Sequence, residues 1–160
     1  MITFEKVTKS FGGRRILNEL DLTIEKGETF IVCGGSGVGK SVTLQHMVRL
    51  LTPESGDILI GGESIVNAGA KDLERIRERF GYLFQGGALL AWMNVAENVA
   101  LPLVEKTQMA RSEIDDKVQA TLELVGLGKD GKKLPSQISG GMKKRAGLAR
   151  AIIREPEIVL

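Results

Sequence analysis

Eight consecutive residues constrain this chain more than any others: Gly34-Gly35-Ser36-Gly37-Val38-Gly39-Lys40-Ser41. They fit G-x-x-x-x-G-K-[ST], with Gly34, Gly39, Lys40 and Ser41 at the defining places. The flanks agree. Thr29–Cys33 (TFIVC) is a continuous apolar run of the kind that forms a strand covered on both faces, and Lys40–Leu51 reads as a helix stopped by Thr52-Pro53. In such a strand–loop–helix unit the glycines let backbone N–H groups turn inward around a phosphate, and the helix aims its positive end at the same place. Lys40 is then placed for the β- and γ-phosphate oxygens, and the Ser41 hydroxyl for Mg²⁺. The expected nucleotide-contacting run is Gly34, Gly35, Ser36, Gly37, Val38, Gly39, Lys40, Ser41 and Val42. A glycine turn with a chance Lys-Ser is the alternative, and the strand and helix around it weigh against that.

Composition narrows the remaining classes. The 160 residues are 42% hydrophobic and 26% charged, ordinary for one globular domain. Twenty Gly with only four Pro indicate loops of special backbone geometry. Lys and Arg (22) nearly balance Asp and Glu (20), a formal +2 that gives no reason to expect nucleic acid or an anionic membrane surface as a partner. A single Cys excludes an internal disulfide framework and fits a reducing compartment. Met1–Ser10 has charges among its apolar residues and no signal-peptide core. Ala88–Val104 is interrupted by Asn94, Glu97, Asn98 and Pro102, short of a spanning helix. The chain is therefore expected to be soluble.

Along the chain, Ile2, Phe4 and Val7 predict a first strand. Leu20, Leu22 and Ile24 alternate with polar residues as in a half-buried second one. Gly56–Ile65 predicts a hairpin turning at Gly61-Gly62. Asp72–Arg79 reads as a short charged helix and Phe80–Gln85 as a strand. Asn94 with Glu97 resembles a helix-opening capping arrangement before Val95, Val99 and Leu103. Ser112 starts a helix with Ile114, Val118, Leu122 and Val125 on one face. A helix from about Gly140 to Arg154 and a strand beginning at Glu157 complete an α/β core with a helical insertion.

A second motif is more discriminating. Ile138–Met142 reads ISGGM and runs into the helix LARAI (Leu148–Ile152). It resembles the LSGGQ signature of the ATP-binding-cassette (ABC) ATPases, with Ile138 for Leu and Met142 for Gln. A serine hydroxyl and glycine N–H groups at a helix start can again donate to phosphate oxygens. The resemblance implies an α/β fold of the P-loop NTPase class: a mixed sheet with an antiparallel β subdomain, and a helical insertion. It divides into 1–86 (β subdomain and phosphate-loop core), 87–139 (helical subdomain) and 140–160 (signature helix and the start of a further strand). It further implies that Ser139, Gly140, Gly141 and Met142 contact the ATP held by the opposite subunit of a head-to-tail homodimer. Phe11 falls where the family keeps an adenine-stacking aromatic, with a plain core role as the alternative. Gln85 matches the glutamine that approaches Mg²⁺ and the attacking water, which makes it, with Lys40, a candidate for catalysis.

Finer likeness in LFQGGAL (Leu83–Leu89), Met93-Asn94-Val95, Asn98-Val99-Ala100 with Pro102, and GGMKKRAGLARAI is to the ATPases of bacterial Mla-type phospholipid transporters. That implies an integral membrane permease and a lipid-binding substrate protein as partners, and a place on the cytoplasmic face of the bacterial inner membrane. In the same family an Asp-Glu pair that serves Mg²⁺ and the attacking water would fall a few residues beyond Leu160, so residues 1–160 alone are expected to bind ATP with little hydrolysis. A soluble ABC ATPase of DNA repair or translation, and a transporter subunit for another cargo, are the competing readings.

Three smaller expectations concern single positions. His46 reads as helix surface or packing, and Cys33 as a small core residue. Leu89, Leu90, Trp92, Met93 and Val95 either pack under the helical insertion or form a groove for the permease's cytoplasmic coupling helix, with Leu89, Trp92 and Met93 as the contacts. The basic residues Lys132, Lys133, Lys143, Lys144, Arg145, Arg150 and Arg154 read as a solvated face around the signature, with a nucleic-acid patch as the alternative.

Overall fold

The apolar alternation at the amino terminus suits a half-covered antiparallel pair, and the computed structural model, which describes residues 1–160, contains it. β1 (Ile2–Phe11) and β2 (Arg14–Ile24) form a hairpin around Gly12-Gly13, with Phe4 opposite Leu22 and Ile2 opposite Ile24. After α1 (Lys40–Met47), β3 (Ser55–Ile60) pairs with the other edge of β1, and β4 (Glu63–Ser64) turns back at Gly61-Gly62 as expected. The sheet order is β2-β1-β3-β4. Register places Ile2 opposite Ile60 and Phe4 opposite Ile58, and these four are buried. Burying each such side chain contributes roughly 1.5–3 kcal/mol, so this ladder is the main anchor of the amino-terminal unit, 1–77. α2 (Ala70–Arg77) buries Ile76 and ends the unit.

α1 stops earlier than its sequence pattern suggests, at Met47 rather than Leu51. Arg49 takes φ 51°, and the N–H groups of Arg49 and Leu50 return to the carbonyls of His46 and Gln45. This is a Schellman closure with arginine where glycine is commoner. The Arg77 guanidinium donates to the carbonyls of Val48 and Arg49, satisfying acceptors that a helix end leaves open.

His46 lies on the buried face of α1, with Nδ1 2.7 Å from the Val42 carbonyl and Nε2 without a partner. Packing is thus its role, and it has no surface component. Burial holds its pKa below the ordinary value of 6.5, with the Lys9 ammonium acting in the same direction. The folded chain keeps the imidazole neutral while the unfolded chain protonates it near 6.5, so stability is full above that pH and falls as pH drops through it. His46 is the chain's one histidine. The urea midpoint is therefore expected to fall between pH 7.5 and 5.5, and His46→Leu should flatten that dependence. An equal slope in the variant would contradict the assignment.

The segment Thr29–Cys33 corrects the sequence reading. It joins no ladder, and Phe30, Ile31 and Cys33 are exposed, Ile31 at 74%. The composition is that of a doubly covered strand, but residues 29–33 take part in neither sheet. Cys33 is accordingly not a core residue.

In the second unit, 78–160, the expected Phe80–Gln85 strand is regular only over its first two residues. β5 (Phe80–Gly81) runs parallel to Ile158–Val159, Leu83 N–H still donates to the Leu160 carbonyl at 2.7 Å, and the chain then enters the Gln85 turn. α3 (Val95–Lys106) opens with the expected capping box: Asn94 Oδ1 accepts from Glu97 N–H, and Glu97 Oε2 accepts from Asn94 N–H. α4 (Arg111–Leu124) buries Ile114, Val118 and Leu122, the face read from the sequence. α5 (Gly140–Ile152) adds Ala146 and Ala149 to the same core, which also holds Val95, Val99 and Leu103. The strand β6 (Ile158–Val159) follows. The helical segment and the signature helix thus share one hydrophobic core.

Candidate functional site

Residues 34–38 form an exposed loop that runs through the buried Gly39 into α1. Gly39 is the residue just before the helix and has φ 106°, ψ 3°, a conformation that a residue with a Cβ avoids. A Cβ there would also lie 2.8 Å from Ile16 Cγ2. Gly39 is therefore required twice, for its dihedrals and for its close approach to β2. No side chain caps α1, and none of its first-turn residues is acidic. The positive end of the helix macrodipole is left facing the loop. Lys40, first in the helix, folds its Nζ back to the carbonyls of Gly34 (2.9 Å) and Gly35 (2.5 Å). The ammonium is thus held over the loop, at the place where phosphate oxygens would replace carbonyl oxygens as acceptors.

The donor set fits a polyphosphate. It combines one lysine ammonium, a helix start with no acid near it, and glycines where side chains would fill the cradle. Ser41 is exposed in the first turn and offers one hydroxyl oxygen to a cation. No group of three or more His, Cys, Asp or Glu is placed to hold a metal ion. A cation here would complete its shell from phosphate oxygens and water, which suits Mg²⁺ better than a metal needing a protein cage. Phe11, ending β1, is 45% exposed with the Lys9 ammonium 5.5 Å from its ring centroid. That removes the core alternative and leaves an open aromatic face.

The signature residues form a second helix start in the carboxy-terminal unit. Ser139 caps α5, its Oγ accepting from Met142 N–H at 3.2 Å. A Cβ on Gly140 would meet nothing within 4 Å, and on Gly141 only Ser139 Oγ. The protein therefore leaves this helix start uncovered. Met142 differs from its three neighbours, because it is half-buried against the helical core. Gln85 is exposed and opens a turn in which Gly86, Gly87 and Ala88 all have positive φ.

The apolar stretch after that turn divides. Leu89 packs against the helical core, whereas Trp92 is 74% exposed and Met93 half-buried. Asn98 organises this loop, a structural role the sequence reading did not give it. Fully buried on α3, it accepts from Leu90 N–H at 2.7 Å and donates to the carbonyls of Leu90, Met93 and Asn94. A buried polar residue inside an amphipathic helix was the available signal.

The fold and these two helix starts define a nucleotide-binding protein of the phosphate-loop class. The chain belongs to the ABC transporter family, whose model matches residues 17–160. It is 52% identical over 159 residues to the probable ribonucleotide transport ATP-binding protein mkl of Mycobacterium leprae, covering 99% of this chain and 46% of that protein. It is 44% identical over 164 residues to the methionine import ATP-binding protein MetN 1 of Pseudomonas putida, covering 100% of this chain and 49% of that protein. The chain spans about half the length of the curated relatives it matches. Among solved structures it resembles the ATP-binding cassette MJ0796, a dimer in a post-hydrolysis state bound to ADP and Pi. The TM-score is 0.91 at 30% identity, over 99% of this chain and 72% of that one. It also resembles cbiO1 of Clostridium perfringens, part of the cbiONQ transporter complex, with TM-score 0.84 at 28% identity over 99% and 63%. The expected α/β cassette fold with its antiparallel β subdomain and helices is therefore present.

Proposed function

We propose that the protein containing this chain is the ATP-binding and ATP-hydrolysing motor subunit of a membrane transporter. The observation that carries the reading is Lys40 folded over an uncapped, glycine-lined helix start. Lys40 and the loop N–H groups bind the phosphates, Ser41 supplies an oxygen to Mg²⁺, and the face of Phe11 stacks on the base. Mg²⁺, when bound, neutralises charge on the phosphate oxygens. Ser139, Gly140 and Gly141 donate to the ATP of a second copy in a head-to-tail homodimer, and the uncovered start of α5 supports this. On the family pattern Gln85 serves the cation and the attacking water. Met142 contributes packing of the signature helix rather than a donor.

The cargo is a finer question. The relatives' names specify ribonucleotides in one case and methionine in another. Cargo choice therefore lies with the membrane partners, not the ATP-binding chain. The sequence likeness to Mla-type ATPases favours a phospholipid, with an integral permease and a lipid-binding substrate protein as partners and the cytoplasmic face of the inner membrane as the location. No helix here is long and apolar enough to cross a membrane; attachment through the permease is what the family resemblance implies.

The exposed indole of Trp92, on a loop pinned by Asn98, is the assigned contact for the permease's coupling helix, with Met93 beside it and Leu89 supporting from the core. Trp92→Asp in the full-length protein is expected to abolish permease co-purification and lipid transport. ATP affinity should stay within about twofold, because that loop does not carry the phosphate donors. Retained co-purification and transport would overturn the assignment. Transport of methionine or a nucleotide, without phospholipid movement, would overturn the cargo.

A further inference from the structure

From its first turn to its last, α5 touches the Gln85 turn more closely than side chains allow. A Cβ on Gly87 would fall 2.3 Å from the Lys143 carbonyl oxygen, so the turn lies against the helix backbone itself. A Cβ on Gly147, one helical repeat further along, would fall 2.7 Å from Gly87 Cα and 2.9 Å from Leu83 Cδ1. The third contact is polar. Arg150 extends Nη2 to the Gly87 carbonyl (2.7 Å) and Nη1 to the Ala88 carbonyl (2.9 Å). Its guanidinium is half-buried with no carboxylate partner, and burial lowers its pKa. A desolvated cation spent on two loop carbonyls is an expensive way to hold a surface turn. It is warranted where the position of that turn matters.

We infer that Arg150 is a positioning residue for Gln85, locking the turn that Gln85 opens onto the signature helix so that Gln85 and Ser139 move as one piece. The inference rests on the reading of Gln85 given under Proposed function. Three contacts along one helix fix the turn against rotation as well as translation: the backbone approaches at Lys143 and at Gly147, and the forked donor at Arg150. A change at the signature end of α5, where the second nucleotide is proposed to bind, would then be delivered to Gln85 without any flexible link between them. Arginine is suited to this because its planar fork reaches two carbonyls at once, whereas a lysine ammonium is a single point of attachment.

The test uses the full-length protein with Arg150→Met and Arg150→Lys. Two quantities are read: hydrogen exchange at the Gly87 amide, which donates to Phe84 O at 2.9 Å, and kcat and KM for ATP in the presence of Mg²⁺. Arg150→Met is expected to speed that exchange at least about tenfold and to lower kcat about tenfold, with KM changed less than about twofold, and Arg150→Lys should fall between. A merely structural role would give a lowered melting point with kcat per folded molecule unchanged. If Arg150→Met does not fold, Arg150→Lys decides, because the lysine keeps charge and bulk but loses the fork. Unchanged exchange and unchanged kcat in a folded variant would overturn the inference, as would a rise in KM alone. Absence of hydrolysis in the unsubstituted protein would instead overturn the proposed function, and the exchange measurement would still decide the lock.

Discussion

Replacing Lys40 by Met is expected to lower affinity for ATP about a hundredfold while leaving the unfolding midpoint nearly unchanged. The size follows from the contacts. Hydrogen bonds to charged groups contribute roughly 1.5–3 kcal/mol, about ten- to a hundredfold each, and the lysine is placed for two phosphates. The near-absence of a stability effect follows as well. Without nucleotide, Lys40 gives its Nζ only to the carbonyls of Gly34 and Gly35, which sit in an exposed loop where water can replace it. Equilibrium binding of a fluorescent ATP analogue and a urea titration of the same preparation separate the two effects. Loss of affinity below about fivefold would mean that the ammonium does not reach the phosphates. A large fall in stability would mean that Lys40 is a structural strut.

Gly39→Ala should behave in the opposite manner and damage both quantities. At φ 106° an alanine carries backbone strain of about 1–3 kcal/mol, and its Cβ would press on Ile16 Cγ2 at 2.8 Å. Relief requires either moving Ile16 on β2 or turning the Gly39 peptide, and the second disrupts the first N–H groups of α1. A stability loss of about 3 kcal/mol, with nucleotide affinity reduced at least about tenfold, is expected. Gly35→Ala is the comparison, because its Cβ would find its nearest neighbour, Val38 Cγ1, at 4.0 Å. It should cost under about 1 kcal/mol of stability. Equal destabilisation by the two would show that the loop's shape is not what Gly39 provides.

What the residues disclosed in advance depended on how local the physics was. The β3–β4 turn at Gly61-Gly62, the capping box at Asn94 and Glu97, and the apolar face of α4 each arise within a few residues, and each was legible. Where an element needs a distant partner the reading failed. TFIVC has strand composition, but a strand exists only beside another, and nothing in residues 1–160 pairs with it. In the Phe80–Gln85 run, regular pairing with Ile158–Val159 is followed by a single further bond, Leu83 N–H to the Leu160 carbonyl, before the Gln85 turn. Within the site, the loop and the signature were visible because spacing carries their chemistry. Arg150 and Asn98 were not. Their roles lie in which carbonyls they reach, and those belong to loops whose path is set by packing. Gly87 and Gly147 were equally silent, since the first is required by the Lys143 carbonyl and the second by Gly87 and Leu83.

The central claim is that two phosphate-binding helix starts, at Lys40 and at Ser139, complete one another across a dimer. Full-length protein carrying Lys40→Ala and, separately, full-length protein carrying Ser139→Arg should each hydrolyse ATP at a small fraction of the unsubstituted rate. Mixed and reassembled in equal amounts, they form heterodimers in which one nucleotide site receives both substitutions and the other receives neither. The account predicts that hydrolysis returns to about a quarter of the unsubstituted rate, since about half the dimers are mixed and each of those holds one intact site. If the mixture is as inactive as its components, Lys40 and Ser139 serve the same nucleotide within one chain, and the head-to-tail arrangement is wrong.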